Sequence, residues 1–301
     1  MRQASAFAPG HLTGFFQIWD HPENPLHRGS RGSGASLCQG VHTTVTLEDS
    51  DTNSKTIIIN GRETEAAIVS ENVLVKMLQK TDQTYDMHIE HVIGTPQVAG
   101  FGSSGGGAIS LAIALNEAMN LGLSFTEAAQ VAHIAEIECK TGLGTVFAAI
   151  DGNFGALVKP GGPGFGEAVL YDKPEDLALV YLYFGPMETK DALSNQDIRK
   201  RINDLGGQYV DKIKDNLNPE LFMDLARKFT DYVNIQTPRL RKVLTHASAE
   251  KIPLAMAMFG EVAFSLVYKE KAEEIAAFLW SNAPGFKVDI VKIDAEGTRL
   301  M

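Results

Sequence analysis

The chain has 301 residues, 44% of them hydrophobic and 21% charged, and a formal net charge of −10. This composition can fill one large or two modest cores and excludes a disordered chain. The acidic balance argues against non-specific nucleic-acid binding, which needs a basic face, but leaves room for a local pocket that holds a small anion.

The opening stretch "MRQASAFAPGHLTG" has no apolar core long enough for a signal peptide. Residues 5–8 and 13–19 are short apolar runs separated by Pro9-Gly10 and are expected as two strands. The Pro-, Gly-, Arg- and Ser-rich segment 21–34 reads as a loop. Residues 41–47 and 56–60 are β-rich, with a turn at 49–53 between them. Helical spacing follows over 64–80, and alternation at Met87, Ile89, His91 and Ile93 predicts a strand. Next comes "VAGFGSSGGGAISLAIALNEA", with five glycines and two serines between Gly100 and Gly107. Two helices are expected after it, at about 104–120 and 124–139. Ser124 and Glu127 form a capping box for the second.

Residues 146–150 and 156–158 read as strands around a turn at 151–153. "KPGGPGFGEA" then suggests a hinge near residue 160, dividing the chain into 1–160 and 161–301. In the second half a strand is expected at 178–184, three or four helices between 190 and 248, two apolar runs in "IPLAMAMFGEVAFSLVY", a helix at 269–280 and a strand at 286–293. Strands and helices mix without the βαβ rhythm of a doubly wound sheet, so the class is α+β with two lobes. The apolar stretch 109–123 is broken by Asn116, Glu117 and Asn120, so no membrane span is expected. The two cysteines, Cys38 and Cys139, show no disulfide or metal spacing, which suits a cytoplasmic protein.

The glycine segment satisfies G-x-G-x-x-G by letter, but it does not fit a dinucleotide site. Pro96 separates it from the preceding strand, two helices follow it, and no acidic residue closes a strand about 20 residues on. It also lacks the Gly-Lys-Ser/Thr of a Walker loop. The physics still favours an anion. Glycines admit close backbone approach, and the first amides of a helix have no partner and sit at its positive end. Ser103 and Ser104 can cap the helix or offer hydroxyls to a phosphate or a metal ion.

Three segments, "SAFAPGHLTGFF", "VAGFGSSGGGA" and "AMAMFGEVAFSLV", resemble in order and spacing the three motifs of the GHMP kinase superfamily, over essentially the whole chain. "APGHLTGFF", "HRGSRGSGASLCQGV", "AHIAEIECKTGLGTV" and "FGPMETKDAL" bring it closest to the archaeal pantoate kinases. The resemblance implies a ribosomal-protein-like N-terminal lobe and a ferredoxin-like C-terminal lobe. It implies ATP-dependent phosphorylation of the terminal hydroxyl of (R)-pantoate, giving 4-phosphopantoate for coenzyme A synthesis. The partners would be ATP, Mg²⁺ and a small hydroxy acid, and a homodimer is compatible with the sequence. Another superfamily kinase, acting on mevalonate, homoserine or a related hydroxy acid, is the alternative within the enzyme class. A non-catalytic ligand sensor on the same fold is the alternative outside it.

By motif match, Gly100, Gly102, Ser103, Ser104, Gly105, Gly106 and Gly107 would lie along the triphosphate, and Ser104 and Glu136 would bind the magnesium ion. Two departures are visible. His11 stands where many members carry Lys after Pro-Gly, and "TGLGT" at 141–145 lacks the carboxylate of a Pro-Ser-Gly-x-Asp segment. His11, Lys140 and Thr145 are therefore the candidates for orienting the acceptor hydroxyl or stabilising the transferring group. His11, Thr13, Arg28 and Arg31 are the candidates for holding the substrate, with the arginines suited to its carboxylate. On the residues alone, Arg28 and Arg31 read rather as two solvated surface charges, and Lys140 as a charge complementing a helix C-terminus.

Overall fold

The computed structural model describes residues 1–187 and 195–301. Two long strands, β1 (Arg2–Trp19) and β2 (Gly29–Asp49), open the chain, joined through a 3-10 turn at Pro25–His27. They pair antiparallel from Arg2↔Leu47 to Trp19↔Gly29, with register shifts between Pro9 and Gly10 and between Thr13 and Phe15. The two strands expected at 5–8 and 13–19 are thus one strand, irregular at Pro-Gly. The loop expected at 21–34 is strand from Gly29 onward, because its glycines serve close approach. A methyl group on Gly34 would stand 2.3 Å from the Leu12 carbonyl oxygen.

The remaining elements of the first half are β3 (Ser54–Ile59), β4 (Arg62–Glu63), α1 (Ile68–Leu78), β5 (Tyr85–Ile93), α2 (Ser103–Met119), α3 (Phe125–Cys139), α4 (Thr145–Asp151), β6 (Phe154–Lys159) and β7 (Glu167–Leu170). The capping box forms: Ser124 accepts from the Glu127 amide and Glu127 accepts from the Ser124 amide. The strand expected at 146–150 is instead the helix α4. Val146 and Ala149 are both buried, three residues apart, a helical and not an alternating spacing.

The second half holds β8 (Leu177–Gly185), α5 (Gln196–Ile213), α6 (Pro219–Val233), α7 (Pro238–Ala249), β9 (Ala255–Met256), β10 (Glu261–Tyr268), α8 (Ala272–Asn282), β11 (Lys287–Lys292) and β12 (Arg299–Leu300). Residues 188–193 of the "FGPMETKDAL" motif lie outside the described residues.

The architecture is α+β, built on two sheets. The first runs β12-β1-β2-β5-β3-β4, with β6 on β2 and β7 on β6; the second runs β11-β8-β10-β9. The division expected at residue 160 corresponds only loosely to this arrangement. β7 joins the first sheet, and β12 returns to pair with β1 at Ala6↔Leu300. Helices α1, α2 and α3 bury their apolar faces with Val45, Leu47, Met87 and Ile89 of the first sheet. A second core gathers α5 to α8 on the smaller sheet and takes in Leu12, Phe15 and Leu37 from β1 and β2. No helix among the described residues is long and apolar enough to cross a membrane.

Candidate active site

The glycine segment is where the three motifs meet. Gly102 has φ +67°, the left-handed region that favours glycine, and turns the chain into α2. No side chain caps this helix and no acidic residue sits in its first turn. Its first intrahelical bond runs from the Gly106 amide to the Gly102 carbonyl, so the amides of Ser103, Ser104 and Gly105 have no partner in the helix. These amides and the helix dipole make an anion site.

Other elements pin the loop in place. The His11 amide, one residue past Pro9-Gly10, donates to the Phe101 carbonyl at 2.9 Å. Methyl groups on Gly102 and Gly105 would stand 2.4 and 2.8 Å from Thr145 atoms, so α4 rests against the loop. Gly260, in the third segment, lies so close that a methyl group there would stand 1.9 Å from the Ala99 carbonyl oxygen.

Glu136 on α3 is 3% exposed and aims its carboxylate at this loop. Its Oε1 accepts from the Ser104 hydroxyl, and from the Thr141 hydroxyl at 2.6 Å. Burial pushes its carboxyl above the ordinary carboxylate range, and the two hydroxyl bonds oppose that shift in part. No lysine or arginine pairs with it among the described residues. Methyl groups on Gly142 and Gly105 would meet its Oε2 at 2.0 and 3.3 Å, so glycines keep the space around it clear.

A magnesium ion fits this donor set. A buried carboxylate without a cation and an exposed hydroxyl bonded to it are a partial oxygen shell of the kind Mg²⁺ takes. Among the described residues no group of three or more His, Cys, Asp or Glu could hold a metal alone, so phosphate oxygens or waters would have to complete the shell.

Two recesses flank the loop. One is an open cleft between the start of α1, residues 97–104 and the end of α3, and exposed Lys140 lines it. Lys140 caps α3 with φ +57°, and this places it on the cleft side. The other is a pocket of about 130 Å³ lined by His11, Thr13, Ser30, Gly102, Thr145 and Phe259 among others. None of its lining residues is Asp, Glu, Lys or Arg. Among the described residues, the hydroxyls of Thr13, Ser30 and Thr145 have no hydrogen-bond partner. Ser33, also in the wall, is already committed to the Gly155 carbonyl at 2.8 Å.

His11 is the titratable group of this pocket. Burial lowers its pKa to about 4, so the ring is neutral near pH 7. Its Nδ1 lies 3.1 Å from the Ser36 hydroxyl, which itself donates to the Ala148 carbonyl at 3.2 Å. Nδ1 therefore carries the proton and donates to Ser36, leaving Nε2 as an acceptor.

The arginines are placed otherwise than expected. Arg31 lies in β2, donates to the Val158 carbonyl at 2.8 Å and pairs with Asp211 of α5. Arg28 donates to the carbonyls of Pro22 and Glu23. Neither lines the pocket, which is not the position expected for a grip on the substrate's carboxylate. Their guanidinium groups are used in joining β2 to α5 and in folding the preceding turn. Ser30, between them in sequence, is the residue that faces the pocket. In the sequence it stands between two arginine-glycine steps of "HRGSRG", where the charges are the more conspicuous residues. Thr141, the other residue not foreseen, sits beside the candidate Lys140.

Residues 67–153 match the model of the GHMP kinases N-terminal domain. The pantoate kinase of Thermococcus kodakarensis is 31% identical over 280 residues, 91% of each chain. That of Methanocaldococcus jannaschii is 30% identical over 273 residues, 91% of this chain and 96% of the relative. A solved structure described as a phosphotransferase related to the CoA biosynthesis pathway superposes with a TM-score of 0.88 at 30% identity, covering 99% of this chain and 98% of that one.

Proposed function

The chain belongs to the GHMP kinases and is an ATP-dependent phosphotransferase, and on that premise we propose that it phosphorylates the terminal hydroxyl of (R)-pantoate to give 4-phosphopantoate in coenzyme A synthesis. The observation that carries the substrate is the identity to two pantoate kinases across about nine-tenths of all three chains. The pocket agrees with a small acceptor: it is compact, lies directly beside the anion-binding loop, and offers three uncommitted hydroxyls and one neutral imidazole.

In this reading the open cleft takes the nucleotide, and the amides of the Gly102–Gly107 segment hold its phosphates. Ser104 and Glu136 hold the magnesium ion, which when bound neutralises charge on the phosphates. Lys140, at the cleft's edge, reaches toward the transferring group. On the other side Thr13 and Ser30 hold the pantoate carboxylate by hydrogen bonds, so binding without a salt bridge rests on hydroxyl donors. Thr145 stands between loop and pocket and steers the acceptor toward the phosphates.

His11, a neutral ring in the pocket wall, is the group assigned to orient the hydroxyl that is to be phosphorylated. With a pKa of about 4 it orients that hydroxyl without removing its proton beforehand. Phosphoryl transfer through a loose transition state needs little more, because positioning and charge stabilisation supply most of the acceleration. This accounts for activity without the carboxylate that many family members carry near position 145.

A coupled ADP-release assay against pantoate, pantothenate, mevalonate and homoserine tests the proposal. The highest kcat/KM is expected on pantoate. A higher value on mevalonate or homoserine would move the chain to another branch of the family, and no substrate-dependent ADP release at all would favour a ligand sensor.

A further inference from the structure

Glu261 is the first residue of β10 and immediately follows Gly260, the residue whose backbone presses on Ala99. It is 5% exposed, yet it carries a carboxylate. That carboxylate is fully engaged: it accepts from both Nε and Nη2 of Arg239 and from the Thr237 hydroxyl. Thr237 is the N-cap of α7, so the carboxylate ties the start of β10 to the start of that helix.

Arg239 does a second thing. Its Nη2 also donates to the Phe184 carbonyl at 3.2 Å, near the end of β8. Its guanidinium lies 5.2 Å from the centre of the Phe184 ring and 5.5 Å from that of Phe286. One arginine thus joins the end of β8 to the start of β10. The glycine loop rests on both of these strand ends. Two residues past β8, the Met187 amide donates to the Val98 carbonyl at 2.8 Å. Beside β10, a methyl group on Gly100 would stand 2.6 Å from the Met258 carbonyl oxygen. Neither Arg239 nor Glu261 lines either recess.

We propose that Arg239, acting through Glu261, is a positioning residue for the phosphate-binding loop. The pair holds the β8 end and the 257–260 turn in register against Val98–Gly100, so that nucleotide affinity depends on it more strongly than acceptor affinity, which the same turn reaches only through Met258 and Phe259 in the pocket wall. A fork geometry suits this role, because two parallel donors fix the orientation of the carboxylate as well as its distance. The carboxylate is buried but the guanidinium is half exposed, and such a pair is a weak source of net stability, so its presence beside the loop is better explained by the geometry it imposes.

The inference rests on the reading that residues 100–107 hold the nucleotide's phosphates. Its test is ADP binding by calorimetry, together with KM for ATP and for pantoate, on the wild type and on Arg239→Met, Arg239→Lys and the double variant Arg239→Met/Glu261→Leu. Met keeps the apolar stem over Phe184 and removes the fork. Arg239→Met should weaken ADP binding and raise KM for ATP by roughly tenfold, as expected when about 1.4 kcal/mol of loop alignment is lost. KM for pantoate should rise clearly less than KM for ATP, because the turn touches the acceptor pocket only through Met258 and Phe259, and Lys should recover part of the loss. The double variant removes both charges, so it should fold and melt near the wild type while still binding ADP weakly. If Arg239→Met and the double variant bind ADP like the wild type, the pair is structural only and the inference is overturned. If the wild type itself does not bind ADP, the reading of the loop falls, and the pair's role with it.

Discussion

The two sides of the cleft are built from different material. The loop proposed for the nucleotide is mostly main chain: unpartnered amides at the start of α2, a left-handed Gly102, and glycines that leave room for Thr145 and Glu136. Its one buried charge, Glu136, is held by two hydroxyls. The pocket proposed for the acceptor presents polar side chains between its glycines and carries no charged group: Thr13 comes from β1, Ser30 from β2, Thr145 from α4, and His11 is kept neutral by burial. A phosphate chain shared by many kinases is met by backbone that any such enzyme can reuse, whereas a particular acceptor is met by side chains that can change one at a time.

The largest effects should therefore come from the nucleotide side. Ser104→Ala and Glu136→Gln should each lower kcat by about 10²–10³-fold, the range for losing one electrostatic stabiliser. The double variant should fall well short of the product of the two, because groups sharing one ion act as a unit. Steady-state kinetics at saturating ATP checks this, and near-normal turnover by both single variants would place the metal elsewhere.

Acceptor-side changes should be smaller and should move different constants. Ser30→Ala should raise KM for pantoate by roughly ten- to a hundredfold, the loss of a hydrogen bond to a charged group of about 1.5–3 kcal/mol, with KM for ATP unchanged. Equal rises in both constants would erase the distinction between the two sides. His11→Ala should cost about tenfold in kcat, as for one neutral hydrogen bond. The neutral ring is the working form and its pKa is about 4, so acidification removes it only as pH falls through that value. A kcat/KM profile for pantoate should accordingly show no His11 limb between pH 8 and 5. A limb near the ordinary histidine value of 6.5 that disappears in His11→Ala would contradict the buried neutral ring.

The smallest effect is expected at the arginines. Arg31→Ala loses a partly exposed pair with Asp211, a contact of about 0–1 kcal/mol, and should leave KM for pantoate within about fivefold. A hundredfold rise would return the carboxylate to Arg31.

This contrast also explains what could be read from sequence. The glycine loop and the Ser124 capping box are local patterns with local physical causes, and both are found at the expected residues. The acceptor pocket was hard to read because its walls meet only in three dimensions. Arg31 looks free in "HRGSRG", since its partner Asp211 lies 180 residues away. Gly32 and Gly34 look like loop, although they are strand positions crowded by Phe15 and Leu12. Residues 146–150 look like strand because a short apolar run has no decisive period, and only its contact with the glycine loop and the neighbouring helices makes it α4. Glu261 shows in the sequence only as the charge that, with Gly260, breaks an apolar run, since its role depends on Arg239 and on two strand ends far apart in the chain.

The central claim is that ATP's γ-phosphoryl passes to the terminal hydroxyl of pantoate. Product analysis by ³¹P NMR and mass spectrometry tests it most directly, with the enzyme, Mg²⁺-ATP and (R)-pantoate, and with Glu136→Gln as control. The account predicts a phosphomonoester on the terminal carbon of pantoate, formed in step with ADP and nearly absent in the control. ADP formed with inorganic phosphate alone, or a phosphorylated product only from another hydroxy acid, would contradict it.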